Sequence, residues 1–166
     1  LSAGWIRDCD IDASGSTGGG VSCDTTQIDR SRVYGSVVAS TSSSLHDSTF
    51  IAPAGATAVT LTGGGVNIAA KLTNNDINLS GIGTAVRLSG QGHIVENNRI
   101  TGPGGLAGTA GIVVATGSQG LTVRSNYVKG TADNYQLLGG GGNQYDLLLS
   151  ELPETIDVPS HVTLTG

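Results

Sequence analysis

The stretches AKLTNNDINLSG (70–81) and HIVENNRITGPG (93–104) repeat one pattern 23 residues apart. Each places an apolar residue, a polar one, two asparagines, a charged residue and an isoleucine ahead of a glycine-bounded turn. The six-residue unit recurs four more times, at 6–11 (IRDCDI), 28–33 (IDRSRV), 45–50 (LHDSTF) and 123–128 (VRSNYV). Its first position is always aliphatic (Ile6, Ile28, Leu45, Leu72, Val95, Val123). Its sixth is always apolar (Ile11, Val33, Phe50, Ile77, Ile100, Val128). Successive copies start 22, 17, 27, 23 and 28 residues apart, a loose period of about 23.

Between the copies lie short alternating, β-branched runs bounded by glycine: GATAVTLTG (55–63), GTAVRLSG (83–90) and AGIVVATG (110–117), with HVTLTG (161–166) read as a last member. These are strand signatures, and no window carries an apolar period of 3.6 over a helical length. The 166 residues include 27 glycines but one Phe, one Trp and four Tyr. A core built from so few large side chains must be narrow. Glycine clusters such as TGGG (17–20) and LGGGG (138–142) supply the left-handed conformations that tight turns need. A repeat of about 23 residues, made of short strands that cannot bury their own apolar face, predicts a solenoid whose stacked coils share one apolar column. Six coils about 4.8 Å apart give a rod on the order of 30 Å long.

The fourth position of the unit reads Cys9, Ser31, Ser48, Asn75, Asn98, Asn126. This column resembles the inward-facing asparagine ladder at a bend of the right-handed parallel β-helix in the pectate-lyase-like superfamily, and the resemblance spans nearly the whole chain. It implies an all-β fold of about six to seven coils. The last three coils match the ladder and the first three carry smaller residues, so a partial ladder is expected. Residues 1–130 are assigned to the coils, and 131–166 to an irregular C-terminal coil or cap that continues the helix. The segment is expected to be part of a longer chain.

Positions two and five are expected to face outward on either side of the bend. Position two reads Arg7, Asp29, His46, Thr73, Glu96, Arg124; position five reads Asp10, Arg32, Thr49, Asp76, Arg99, Tyr127. Stacking predicts four opposite-charge neighbours: Arg7 with Asp29, Asp10 with Arg32, Asp76 with Arg99, and Glu96 with Arg124. Cross-strand charge pairing explains such columns without any ligand. The alternative is a polysaccharide-binding stripe. In that reading Asp76 and Glu96 are the candidate catalytic carboxylates, and His46, Asp47, Arg99 and Tyr127 hold substrate. A carboxylate pair cleaves glycosides only when burial or a like charge keeps one member protonated, and arginine neighbours work against that.

Other features are thinner. His93 reads as a hydrogen-bonded structural histidine, and His161 has no evident partner. Trp5 and Tyr127 could stack on sugar rings, but Trp5 could equally pack on neighbouring coils. LPET (152–155) shares four residues with a sortase signal, yet Ile156 stands where glycine is required. Two cysteines form no metal site; they read as small buried hydrophobes, with a disulfide as the alternative. No metal or cofactor motif is present. A net charge of −5 with eight Lys and Arg argues against nucleic acid, and no apolar run is long enough to span a membrane.

Serine-, glycine- and asparagine-rich coils with few aromatics resemble the shafts of bacteriophage tailspikes and tail fibres. That resemblance implies a virion tail component, a homotrimer, and bacterial surface polysaccharide as partner, with depolymerase activity left open. The alternatives are a polysaccharide lyase, glycoside hydrolase or uronate epimerase of the pectate-lyase-like group, and a non-catalytic surface or adhesin module, both extracellular.

Overall fold

The structure, a computed structural model, describes residues 2–15, 20–65, 68–148, 155–156 and 161–165, and side chains for 3–15, 20–65 and 68–146. Among these residues there is no helix, and all registered strand pairs run parallel in one continuous sheet. The chain is an all-β parallel solenoid with three faces. Face one holds Ser2–Arg7, the second half of Val21–Asp29, Ser44–His46, Lys71–Thr73, Ile94–Glu96, Thr122–Arg124, Gln144–Leu148 and His161–Thr165. Face two follows after a tight bend, with Asp10–Asp12, Arg32–Tyr34, Thr49–Ala52, Asp76–Leu79 and the starts of Arg99–Val114 and Tyr127–Leu137. Face three holds the start of Val21–Asp29, Val37–Ser40, Thr57–Thr62, Gly83–Leu88, the ends of the two long strands, and Thr155–Ile156.

The register stacks like on like. From the second coil onward position one is a buried column from Ile28 through Val123, and Tyr145 continues it into the next coil. Position six is a second column, from Val33 through Phe50 to Val128. Face three contributes two more: Val37, Val59, Val86, Ile112, Tyr135, and Ala39, Leu61, Leu88, Val114, Leu137. At about 1.5–3 kcal/mol for each fully buried aliphatic or aromatic side chain, these four columns are the main stabilising term. Only stacked coils can bury them, so local propensity alone would not hold the fold.

Three expectations are refined. The run HVTLTG does not join the face-three strands it resembles; His161–Thr165 stacks on Gln144–Leu148 in face one. Pairing follows what the previous coil offers, and alternation alone cannot name the face. The two cysteines are both free, with Cys23 buried and Cys9 exposed in the outermost coil, so neither a disulfide nor a buried pair forms. Within 131–166, strands through Leu148 keep stacking, whereas 149–154, 157–160 and Gly166, with most of the LPET motif, fall outside the described residues.

Candidate functional site

The bend between faces one and two is built by positions three and four of the repeat. Position three is left-handed in every copy: Asp8, Arg30, Asp47, Asn74, Asn97 and Ser125 have φ between 44° and 58°. Asparagine tolerates that conformation best among non-glycine residues, which accounts for the first member of each Asn-Asn pair. The second member turns inward. Asn75 Oδ1 accepts from Ser48 N, Asn98 Oδ1 from Asn75 N, and Asn126 Oδ1 from Asn98 N, each at 3.0 Å. The amide nitrogens reach back to the carbonyls of Leu45, Leu72 and Val95. The serines extend the series: Ser48 Oγ accepts from Ser31 N at 3.0 Å, and Ser31 Oγ accepts from Cys9 N at 3.2 Å. The ladder is therefore continuous through all six coils rather than partial, because a hydroxyl can accept the same backbone N–H as an amide oxygen.

A second ladder, which the sequence reading does not contain, lies where face three returns to face one. It uses the residue two before position one: Thr26 N donates to Ser43 Oγ, Ala70 N to His93 Nδ1, and Leu121 N to Asn143 Oδ1. His93 is fully buried, and burial pushes its imidazole below the ordinary range. Since Nδ1 accepts, the ring proton sits on Nε2, which donates to Ser89 O at 3.3 Å. Chemically unlike residues share this column, so no repeat was visible. A fixed offset from position one was the available signal.

Outside the bend, the charged side chains fall into two groups. In the first, Asp29 is buried, not outward-facing, with its side chain only 4% exposed. Arg7 Nε lies 2.8 Å and Arg30 Nη1 3.2 Å from its Oδ2, and His46 Nδ1 lies 3.3 Å from its Oδ1. The same Nδ1 is 3.2 Å from Asp47 Oδ2. Arg30 also grips Asp8 with two 2.9 Å bonds, which hold the Asp8 carboxyl below its ordinary range and push the guanidinium up. The Asp8–Arg30 pair belongs to the position-three column, outside the position-two and position-five columns in which charge pairing was expected. Asp29, His46 and Asp47 offer ligand atoms within 4.8 Å of one another. The two arginines on Asp29 already supply the positive charge that a cation would bring.

The second group holds the expected catalytic residues. Asp76 and Arg99 are register neighbours with a long 3.9 Å contact, and Tyr127 stands on the next rung beside Arg99. Glu96 lies across the bend on face one, paired with Arg124 at 2.7 Å. The fold thus puts Asp76 and Glu96 one coil apart on opposite sides of the bend, each next to an arginine. Thr73 separates His46 from Glu96 in position two, so the two groups are about two strand spacings apart. Of the four anticipated charge pairs, three form. Asp10 and Arg32 are in register, yet among the described residues Arg32 has no ion pair.

The opposite side of the rod carries only scattered charges, with Asp24, Arg87 and Asp133 among the described residues of face three. The outward face-three column reads Val38, Thr60, Arg87, Val113, Gln136. Ile82 and Leu106 are 53% and 45% exposed between faces two and three. Comparison with known protein families, curated proteins and solved structures finds no match.

Proposed function

We propose that this chain is a β-helical shaft segment of a bacteriophage tailspike or tail fibre, of the pectate-lyase-like kind, that contacts bacterial surface polysaccharide as a homotrimer. The observation that carries the reading is the two-sided charge distribution. Arginines and carboxylates crowd the bend between faces one and two, while face three carries only scattered charges (Asp24, Arg87 and Asp133 among the described residues) and its corner with face two exposes the apolar Ile82 and Leu106. In a trimer the sparsely charged side packs against sister chains, and the bend stripe faces the polysaccharide.

Within that reading Asp76 and Glu96 are the carboxylates of a depolymerase site, with Arg99, Tyr127, His46 and Asp47 as sugar contacts. The test is a cleavage assay on capsular and lipopolysaccharide glycans. Asp76→Asn and Glu96→Gln should each abolish chain cleavage. Each should cost less than about 1 kcal/mol of stability, because the pairs are solvent-exposed on the arginine side. Full cleavage by both variants would refute the assignment.

A further inference from the structure

We infer that a groove along the second corner, where face three returns to face one, seats an extended neutral glycan strand parallel to the rod axis. The inference rests on the glycan-contact reading above and names the class of strand and its path.

The groove follows from the repeat. The residue just before position one stacks in register through Gln27, Ser44, Lys71, Ile94, Thr122 and Gln144. Six rungs make five strand spacings, a floor about 24 Å long. Three residues before position one the backbone is left-handed in every coil but the fourth, at Ala3, Thr25, Ser42, Gly92, Gly120 and Gly142. The last three are glycines, so the corner beside the floor carries no side chain there. Three depressions adjoin along this line. Gln27, Ser44, Lys71 and Ile94 line the first, which shares Gly92 with the second. The second reaches Gly141, and the third begins at Gly142 and takes in Thr122 and Gln144. Side chains two residues apart leave the same side of a strand, about 7 Å from each other. A glycan on this floor therefore runs beside the position-two column of His46, Thr73 and Glu96.

The lining names the ligand. Among the described residues the side chains of Gln27, Ser44, Gln91, Gln119, Thr122 and Gln144 have no hydrogen-bond partner. Amides and hydroxyls both donate and accept, as sugar hydroxyls do. The backbone adds a donor. Gly92 N donates to Gln119 O, whereas one coil later Gly120 N, in the second depression, has no acceptor among the described residues. Lys71 is the one charged side chain lining the first two depressions, and Arg124 and Asp146 in the third have opposite signs. A polyuronate would set a carboxylate on each sugar residue against that single ammonium, on a chain whose net charge is −5. A neutral strand meets no such mismatch.

The experiment titrates the 166-residue chain with neutral bacterial surface oligosaccharides, as disaccharides and as longer strands, and with a polyuronate, by isothermal titration calorimetry. Neutral strands should bind, the longer ones more tightly, and the polyuronate more weakly. Removing both amides in the Gln91→Ala, Gln119→Ala double variant should weaken neutral binding at least about tenfold, the loss of one to two good hydrogen bonds. Gly141 has no left-handed φ and an added Cβ meets nothing within 4 Å, so Gly141→Phe fills the second depression without strain. It should weaken binding at least as much. Both variants should keep the wild-type melting temperature, and Thr60→Ala, on the outside of face three, should keep wild-type binding. Neutral binding unchanged in both groove variants, a disaccharide that binds as tightly as a longer strand, or a preference for the polyuronate would each overturn the groove and leave the glycan-contact reading standing. Absence of binding to any glycan would overturn both.

Discussion

Asn97 and Asn98 are chemically identical neighbours, and the structure gives their truncation very different costs. Asn98 is 1% exposed and makes four hydrogen bonds through its side chain. Its Oδ1 accepts from Asn75 N and Nδ2, and its Nδ2 donates to Leu72 O and Asn126 Oδ1. In Asn98→Ala, Asn126 Oδ1 still accepts from the residue-98 backbone, and Asn75 Nδ2 still donates to Leu45 and Thr73 carbonyls. The buried Asn75 N–H is left with no partner, at about 1–3 kcal/mol, and the other lost bonds add about 1 kcal/mol each. The expected destabilisation is about 4–6 kcal/mol, a large share of the roughly 5–15 kcal/mol that holds a domain together. Asn97 is exposed and left-handed, with φ of 55°. Asn97→Ala should cost about 1 kcal/mol through the alanine Cβ, and Asn97→Gly should be close to neutral. Urea unfolding followed by circular dichroism gives the three values, and hydrogen exchange reports whether the Asn75 amide loses protection. A loss below about 1 kcal/mol for Asn98→Ala, or a larger loss for Asn97→Ala, would refute the ladder as the element that holds the bend.

Two further perturbations test the other corner and the turns. Because burial lowers the folded-state pKa of His93, the unfolded chain takes up the proton first as pH falls below the ordinary value of 6.5. Stability should then fall with pH from that value down to the folded-state pKa and show no His93 contribution above it, with a slope of at most about 1.4 kcal/mol per pH unit. His93→Gln keeps an acceptor for Ala70 N and should flatten this part of the profile in chemical denaturation; parallel profiles would contradict the assignment. Gly90 has φ of +115°, and an added Cβ would sit 2.0 Å from Gly63 O, whereas at Gly117, with φ of +83°, nothing lies within 4 Å. Gly90→Ala should therefore lower the melting temperature far more than Gly117→Ala, whose cost is about 1 kcal/mol; equal shifts would show that the coils do not approach this closely.

The six-residue unit made the fold legible, because parallel stacking demands the same residue class at the same position in every coil. Apolar positions one and six and the polar fourth position meet that demand, and the columns they define are the observed ones. The second ladder met it only through backbone geometry, since serine, histidine and asparagine can each accept one N–H. Chemical similarity was therefore absent along the sequence. Position three was hidden for the opposite reason: its requirement is a left-handed backbone, which Asp8, Arg30 and Asp47 satisfy while their side chains do other work. The charge columns were legible as neighbours but not as geometry. Register placed Asp10 beside Arg32 without joining them, and Arg30, from position three, adds a second arginine to the buried Asp29. HVTLTG was misplaced because strands of faces one and three share one alternation.

The trimeric-shaft account is tested most directly by the mass of the 166-residue chain in solution, measured by light scattering before and after exposure to SDS at room temperature. The account predicts a particle of three 16.6 kDa chains that keeps its mass in the detergent. A 16.6 kDa monomer under both conditions would contradict it, because the sparsely charged side of the rod, with its exposed Ile82 and Leu106, would then have no sister chain to cover it.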